Sequence, residues 1–197
     1  MLVREVMSSP VVTVGPRTPV KQAVRLLDEH QITAMPVVDE EGRLVGVVSE
    51  ADVLRDALPP DRRAHDRLVE LAAPPVHLVV TDVMTHLPMS VGPDDDLVDA
   101  VELMVDTQVK SLPVVSSGRV VGMVSRRDVI AVLARQDGLI EAEVDEALRE
   151  AGVECVVEVD DGLVILRDGD DPERMHVAQV IASRIPGVVG VSIGSPA

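Results

Sequence analysis

Residues 35–52, Met35-Pro-Val-Val-Asp-Glu-Glu-Gly-Arg-Leu-Val-Gly-Val-Val-Ser-Glu-Ala-Asp52, return as residues 112–128, Leu112-Pro-Val-Val-Ser-Ser-Gly-Arg-Val-Val-Gly-Met-Val-Ser-Arg-Arg-Asp128. Each version sets two apolar, β-branched runs around a polar turn, Asp39 to Gly42 in the first and Ser116-Ser117-Gly118 in the second, and reads as a β-hairpin. The likeness extends upstream: Met7, Val14, Gly15, Pro16, Ala23, Leu26, Gln31 and Pro36 all recur 77 positions later. After a one-residue deletion in the turn, Gly42, Arg43, Gly46, Val48, Ser49 and Asp52 recur 76 positions later. Two such copies pack against each other about a pseudo-twofold axis, and the clefts between the halves suit small ligands.

Each copy reads β-α-β-β-α. In the first, Val11 to Val14 is a short strand, and Thr18-Pro19 starts a helix with Thr18 as N-cap and proline at the first helical position. Val20, Ala23, Val24 and Leu27 form its apolar stripe, and the helix ends near His30. Strands Ala34 to Val38 and Leu44 to Val48 follow, and Ser49 opens a short helix to about Ala57. In the second copy Asp94-Asp95-Asp96 stands at the helix start, either as a metal site or as first-turn charge complementing the helix dipole.

The copies occupy residues 1–57 and 80–135, joined by a spacer, 58–79, whose run Asp61 to Arg67 predicts a short charged helix. The remaining segment, 139–195, reads α-β-β-α-β. A helix from Ile140 to Ala151 stops at Gly152, and two strands surround the turn Asp160-Asp161-Gly162. A second helix starts at Asp171-Pro172, with Met175, Ala178 and Ile181 or Ala182 on one face, and Val188 to Ile193 closes as a strand. The fold class is therefore α/β (α+β): a tandem repeat followed by a small α-β-β-α-β domain.

Among 197 residues, 34 Asp+Glu face 18 Lys+Arg, and no Phe, Tyr or Trp occurs. The excess splits into −7 through Ala134 (20 acids, 13 bases) and −9 after it (14 acids, 5 bases). Such a surface repels nucleic-acid phosphates and anionic membranes, and without aromatic rings there is no platform for stacking exposed bases. One cysteine makes no internal disulfide, and no signal or spanning segment is visible, so a soluble cytoplasmic protein is expected. Cys155, in the alternating run Val153 to Val159, reads as a small buried hydrophobe rather than a reactive thiol. The five histidines are scattered, with no metal-ligand spacing, and no nucleophile-elbow, phosphate-loop or dinucleotide fingerprint is present. No catalytic or metal site is expected, and the protein is read as not an enzyme.

The repeated unit, with Val-Met at its start, Met-Pro-Val-Val or Leu-Pro-Val-Val on its central strand and Gly-Val-Val-Ser-x-x-Asp or Gly-Met-Val-Ser-x-x-Asp at its end, resembles the CBS domain family, and the tandem resembles a CBS pair, or Bateman module. The resemblance implies a homodimeric regulatory module whose clefts bind an adenosine-containing ligand such as AMP, ADP, ATP, S-adenosylmethionine, NAD or a cyclic dinucleotide. It implies that Asp52 and Asp128 hold the ribose hydroxyls, with Ser49 and Ser125 near the phosphates. Lys110, whose first-copy counterpart is Thr33, occupies a position that faces phosphate in similar proteins. Arg126 and Arg127, against Glu50 and Ala51, add charge beside Asp128, so the Asp128 cleft is expected to bind phosphorylated ligand better than the Asp52 cleft. Adenine would lie among Val12, Thr13, Val14, Met35, Pro36 and Val37 and their counterparts Met89, Ser90, Val91, Leu112, Pro113 and Val114.

Ser-x-x-Asp is equally a capping box, in which both side chains satisfy the first amides of their own helix, and the two roles can coexist. Likewise the three cations are either phosphate ligands or solvated helix-face charges. The segment 139–195 resembles a BON domain in its element order, in Val157 to Leu166 and in the ending Pro186-Gly-Val-Val-Gly-Val191. BON domains are associated with membranes or lipids. The −9 charge here points instead to a protein-interaction or intramolecular role. The alternative function is a ligand-free dimerisation scaffold that presents this domain.

Overall fold

Pro36 and Pro113 stand within strands, so each strand must lie at a sheet edge, where a missing N–H is tolerated. The computed structural model describes residues 1–55, 78–167 and 171–194, and it places both prolines so; the spacer helix expected at Asp61 to Arg67 lies outside the described residues. Copy one contains α1 (Val20–Glu29), β1 (Ala34–Val38), β2 (Leu44–Ser49) and α2 (Glu50–Leu54). After the spacer come α3 (Val80–Val83) and β3 (Thr85–His86), and copy two continues with α4 (Leu97–Asp106), β4 (Ser111–Ser116), β5 (Arg119–Ser125) and α5 (Arg126–Leu133). The sheets run β1-β2-β3 and β4-β5, antiparallel throughout. Both hairpins turn where expected, with Gly42 at φ 79° and Ser117-Gly118 at φ 50° and 78°.

The expected strand Val11 to Val14 contracts to one parallel bridge, Val14 to Val37, repeated in copy two as Val91 to Val114. The cause is covalent. Val14 donates to the Pro36 carbonyl (3.1 Å) and accepts from Val38 N–H (2.9 Å), but Pro36 has no N–H to offer residue 12 and Pro16 none to offer Val38. Pro113 and Pro93 stop the second ladder in the same way.

The start of α1 also differs from expectation. Pro19 is the N-cap, and the Thr18 hydroxyl instead accepts from Gly15 N–H at 3.2 Å. The amide of Val20 is satisfied by the carbonyl of Leu78 at 3.0 Å, so the helix is capped by a distant segment. On α1, Ala23 and Leu27 are buried as expected, whereas Val24 is 41% exposed and Leu26 packs partly in its place.

The largest departure is an exchange. Val80, Val83 and Met84, which begin copy two, pack into the core of copy one with Val14, Leu27, Met35 and Val48. Met1, Val3, Val6 and Met7, which begin the chain, pack into copy two with Ala100, Met104, Leu112 and Val124. β3 completes the first sheet by pairing with Gly46 and Val47, and Ser8 makes the equivalent bridge to Met123. Gly46 and Gly122 admit this crossing, since a Cβ there would lie 2.5 Å from the sulfur of Met84 or Met7. The hairpin tips also meet, Val120 N–H donating to the Gly42 carbonyl at 3.2 Å.

The third core belongs to α6 (Asp137–Glu150), β6 (Val156–Asp160), β7 (Leu163–Arg167), α7 (Pro172–Ala182) and β8 (Gly190–Ile193), with sheet order β6-β7-β8 and β8 parallel to β7. α6 begins three residues earlier than expected, because the Asp137 carboxylate accepts from the amides of Asp161 and Gly162, both at 2.9 Å, and so ties the helix start to the β6–β7 turn. Ile140, Val144, Leu148, Val164, Leu166, Met175 and Ala178 fill the interior. Among the described residues, no helix is long and apolar enough to cross a membrane.

Candidate functional site

Ser49 and Ser125 end β2 and β5 in extended backbone and cap α2 and α5. In copy one, Asp52 Oδ2 accepts from Ser49 N–H (2.9 Å) and from the Ser49 hydroxyl (2.7 Å). In copy two, Asp128 Oδ2 accepts from Ser125 N–H (2.8 Å) and hydroxyl (2.7 Å). The capping box therefore exists twice. It uses one carboxylate oxygen in each copy, and Oδ1 of both aspartates makes no hydrogen bond among the described residues.

Each Ser-x-x-Asp motif opens onto its own cleft between the copies. The Asp52 cleft, about 410 Å³, carries Ser49, Glu50, Ala51 and Asp52 from copy one against Lys110, Leu112 and Pro113 from copy two. The Asp128 cleft, about 690 Å³, carries Ser125, Arg126, Arg127 and Asp128 against Val11, Val12 and Thr33 of copy one. Both volumes lie in the range of small-molecule sites. Thr33, Ala34, Lys110 and Ser111 line both clefts and form the wall between them.

The cations are more dispersed than a single cluster. Lys110 is exposed and reaches both clefts. Arg126 folds back, Nη2 donating to the Met104 carbonyl at 2.5 Å, and its buried Nε has no partner among the described residues. Arg127 is exposed and also borders a groove shared with Glu50 and Asp28.

Of the residues expected around adenine, Val12 lines the Asp128 cleft, and Met89, Leu112 and Pro113 line the Asp52 cleft. Val14, Met35, Val37 and Val114 are 0–5% exposed and sit in the cores, Pro36 is buried, and Thr13 is exposed; none of the six lines either cleft. Strand alternation accounts for Met35 and Val37, which β1 turns inward after Ala34 at the cleft wall. Ser90 lines neither cleft, and Val91 is a core residue.

Sequence reading missed His30 and Gln31 on the Asp128 cleft, and Thr85, Leu87, Pro88 and Gln108 on the Asp52 cleft. Gln31 and Gln108 were detectable as a recurring pair; both adopt positive φ, 53° and 60°, just after their helices. Leu87 had no such signal. It is 94% exposed at φ 50° on the rim of the Asp52 cleft.

The acidic triplet is accounted for by folding. Asp96 caps α4 by accepting from Val98 N–H (3.0 Å), Asp95 accepts from Gly92 N–H (2.7 Å), and Asp94 pairs with Arg4. Cys155 lies just before β6 and packs against the third core, where burial first and then Asp145 push its thiol up from the ordinary value. That matches an inert packing residue.

Comparison with known proteins places this geometry. The CBS domain model matches residues 3–58 and 80–135. Among curated proteins, the CBS domain-containing protein CBSX1, chloroplastic, of Arabidopsis thaliana is 33% identical over 133 residues, covering 59% of this chain and 56% of that protein. Uncharacterized protein MJ1426 of Methanocaldococcus jannaschii is 29% identical over 159 residues, covering 68% and 91%. Among solved structures, CBSX2 in complex with AMP superposes with a TM-score of 0.54 at 32% identity, covering 66% of this chain and 93% of that one. The CBS domain pair of protein MJ0100, in complex with 5′-methylthioadenosine and S-adenosyl-L-methionine, superposes with a TM-score of 0.55 at 24% identity, covering 67% and 94%, and shares the fold. With both repeats matched and the paired sheets enclosing two clefts, the chain belongs to the CBS domain family.

Proposed function

We propose that this chain is a non-enzymatic regulatory protein whose CBS pair binds an adenosine-containing ligand between the copies and relays its occupancy to the BON-like segment 139–195. The observation that carries this reading is the pair of capped aspartates. Each lines a cleft of ligand size and keeps a second carboxylate oxygen without a hydrogen bond among the described residues, an acceptor for vicinal ribose hydroxyls. The AMP complex of CBSX2 supports the ligand class. The Asp128 cleft, with Arg126, Arg127 and Lys110, is favoured for the phosphorylated ligand. The relay is supported by Arg135, on the connection from α5 to α6, whose guanidinium donates to the Pro186 carbonyl at 2.6 Å and pairs with Glu143. Coupling requires that ligand favour one arrangement of the repeats over another.

Differential scanning calorimetry of the whole chain against AMP, ADP, ATP, S-adenosylmethionine, NAD and cyclic dinucleotides tests the reading. A ligand that binds only the folded protein raises the melting temperature, and the rise grows with the logarithm of its concentration above the dissociation constant. No rise with any of them overturns it.

A second reading, a homodimerisation scaffold without ligand, is favoured by one observation: Val98 and Val105 on α4 and Ile130 and Leu133 on α5 are 52–63% exposed. Light scattering before and after adding nucleotide separates the two readings. A dimer indifferent to every ligand supports the scaffold.

A further inference from the structure

The pseudo-twofold makes Thr33 and Lys110 equivalent positions, and both stand in the wall that the two clefts share. A symmetric molecule would present the same side chain to each cleft. Here one side of the wall carries a hydroxyl and the other an ammonium, and that single ammonium is available to either cleft. Lys110 forms no ion pair among the described residues, so its Nζ is uncommitted within the wall.

The two clefts differ in everything else that bears charge. Apart from Lys110, the charged groups lining the Asp52 cleft, among the described residues, are Glu50 and Asp52. Those lining the Asp128 cleft are Arg126, Arg127 and Asp128, with His30 at the rim. A phosphate in the Asp128 cleft meets the exposed Arg127 beside Asp128, while Arg126 is turned back onto the Met104 carbonyl, and it gains Lys110 as a second cation. In the Asp52 cleft it meets two carboxylates and depends on Lys110 alone. An ammonium is a compact point charge that satisfies one phosphate well and two poorly.

We propose that Lys110 is a specificity-determining residue shared by the clefts, so that the molecule holds one phosphorylated ligand and one unphosphorylated nucleoside. The nucleotide occupies the Asp128 cleft and draws Lys110 to its phosphate. That leaves the Asp52 cleft with its two carboxylates and the apolar surfaces of Leu87, Met89, Leu112 and Pro113, a setting for a ribose and base with an uncharged 5′ end. Asp52 accepts from the ribose hydroxyls, and Glu50 repels a second phosphate. This assignment rests on the adenosine-ligand reading above.

The test is isothermal titration calorimetry of the full chain with AMP and with adenosine as probes, each alone and each into protein saturated with the other. The expected result is one AMP per chain at high affinity, adenosine binding to the AMP-saturated protein as a second ligand, and a loss of about tenfold or more in AMP affinity in Lys110→Thr with adenosine binding retained. Lys110→Thr restores the twofold-equivalent residue at an exposed position, and circular dichroism confirms that it folds. Two AMP molecules of equal affinity, adenosine competing one-for-one with AMP, or unchanged AMP affinity in Lys110→Thr would each overturn the proposal while leaving the adenosine-ligand reading intact. Binding of neither probe would also overturn the proposal, and the adenosine-ligand reading falls with it only if the calorimetric screen of the remaining ligands is negative as well.

Discussion

At the scale of single residues, the proposed function gives the aspartates of the two Ser-x-x-Asp motifs a second duty beside the cap they form, and substitution separates the two. Asp52→Ala and Asp128→Ala each remove the carboxylate half of a capping box, so each should lower stability to urea by about 0.5–1.5 kcal/mol, the net worth of such hydrogen bonds. Only Asp128→Ala should also abolish the melting-temperature rise produced by AMP. Equal loss of the AMP effect in both variants would contradict the ranking of the clefts. The motif was legible from its recurrence, and so was its ambiguity. What sequence could not supply was the division of labour between the two carboxylate oxygens, which depends on where each side chain points. Cys155 gives a second prediction. Its thiol pKa is raised by burial, so the folded chain keeps the thiol proton at alkaline pH values where the unfolded chain has lost it. Alkylation by iodoacetamide should therefore be slower in native than in urea-unfolded protein at mildly alkaline pH. The thiol's contribution to stability is present below the unfolded pKa and declines as pH rises through the folded one. Equal native and unfolded alkylation rates would contradict this placement.

At the scale of elements, the hairpin turns and the start of α7 were the most legible features, because their signals are local. Ser117-Gly118 and Asp161-Gly162 adopt positive φ where turn chemistry requires it, and Asp171-Pro172 caps and starts α7 as its sequence implies. The leading strands were not legible. Apolar alternation at Val11 to Val14 says nothing of the proline facing it, and that proline ends the ladder. The exchange of the leading segments was hidden for a related reason: the recurrence of Val3 as Val80 and of Met7 as Met84 marks equivalent residues and says nothing of which core receives them. The exchange makes a prediction. Gly46→Ala places a methyl against the Met84 sulfur and 3.0 Å from the Thr85 carbonyl, and Gly122→Ala does the same against Met7 and Ser8. Each should cost about 1–3 kcal/mol in chemical denaturation, as overpacked sites do. In a double-mutant cycle, Gly46→Ala should cost less in a Met84→Ala background than in the native one, because the sulfur it meets is gone. A silent Gly46→Ala would show that β3 does not cross there.

At the scale of the whole molecule, the exchanged segments tie each copy's core to the other copy's chain, so a ligand between the copies acts on both cores at once. Arg135 is the side chain on the connection that fastens the third core to this pair through the Pro186 carbonyl. If that contact carries the relay, hydrogen exchange in α6 and α7 should slow on adding AMP to the native chain, and the slowing should vanish in Arg135→Ala while AMP affinity is kept. Slowing that persists in the variant would place the relay elsewhere. Repeat architecture and charge were readable at this scale from the sequence. The position of Lys110 between two clefts was not, since it depends on how the copies face each other.

The central claim, that the pair is a ligand-binding module, is tested most directly by equilibrium dialysis of the full chain against labelled AMP, with protein quantified by a method independent of aromatic absorbance because the chain has no Trp or Tyr. Saturable retention of AMP, lost in Asp128→Ala, is the predicted result. Absence of retention up to about 1 mM, a binding free energy weaker than roughly −4 kcal/mol, for AMP and for every other adenosine-containing ligand of the calorimetric screen alike, would contradict it.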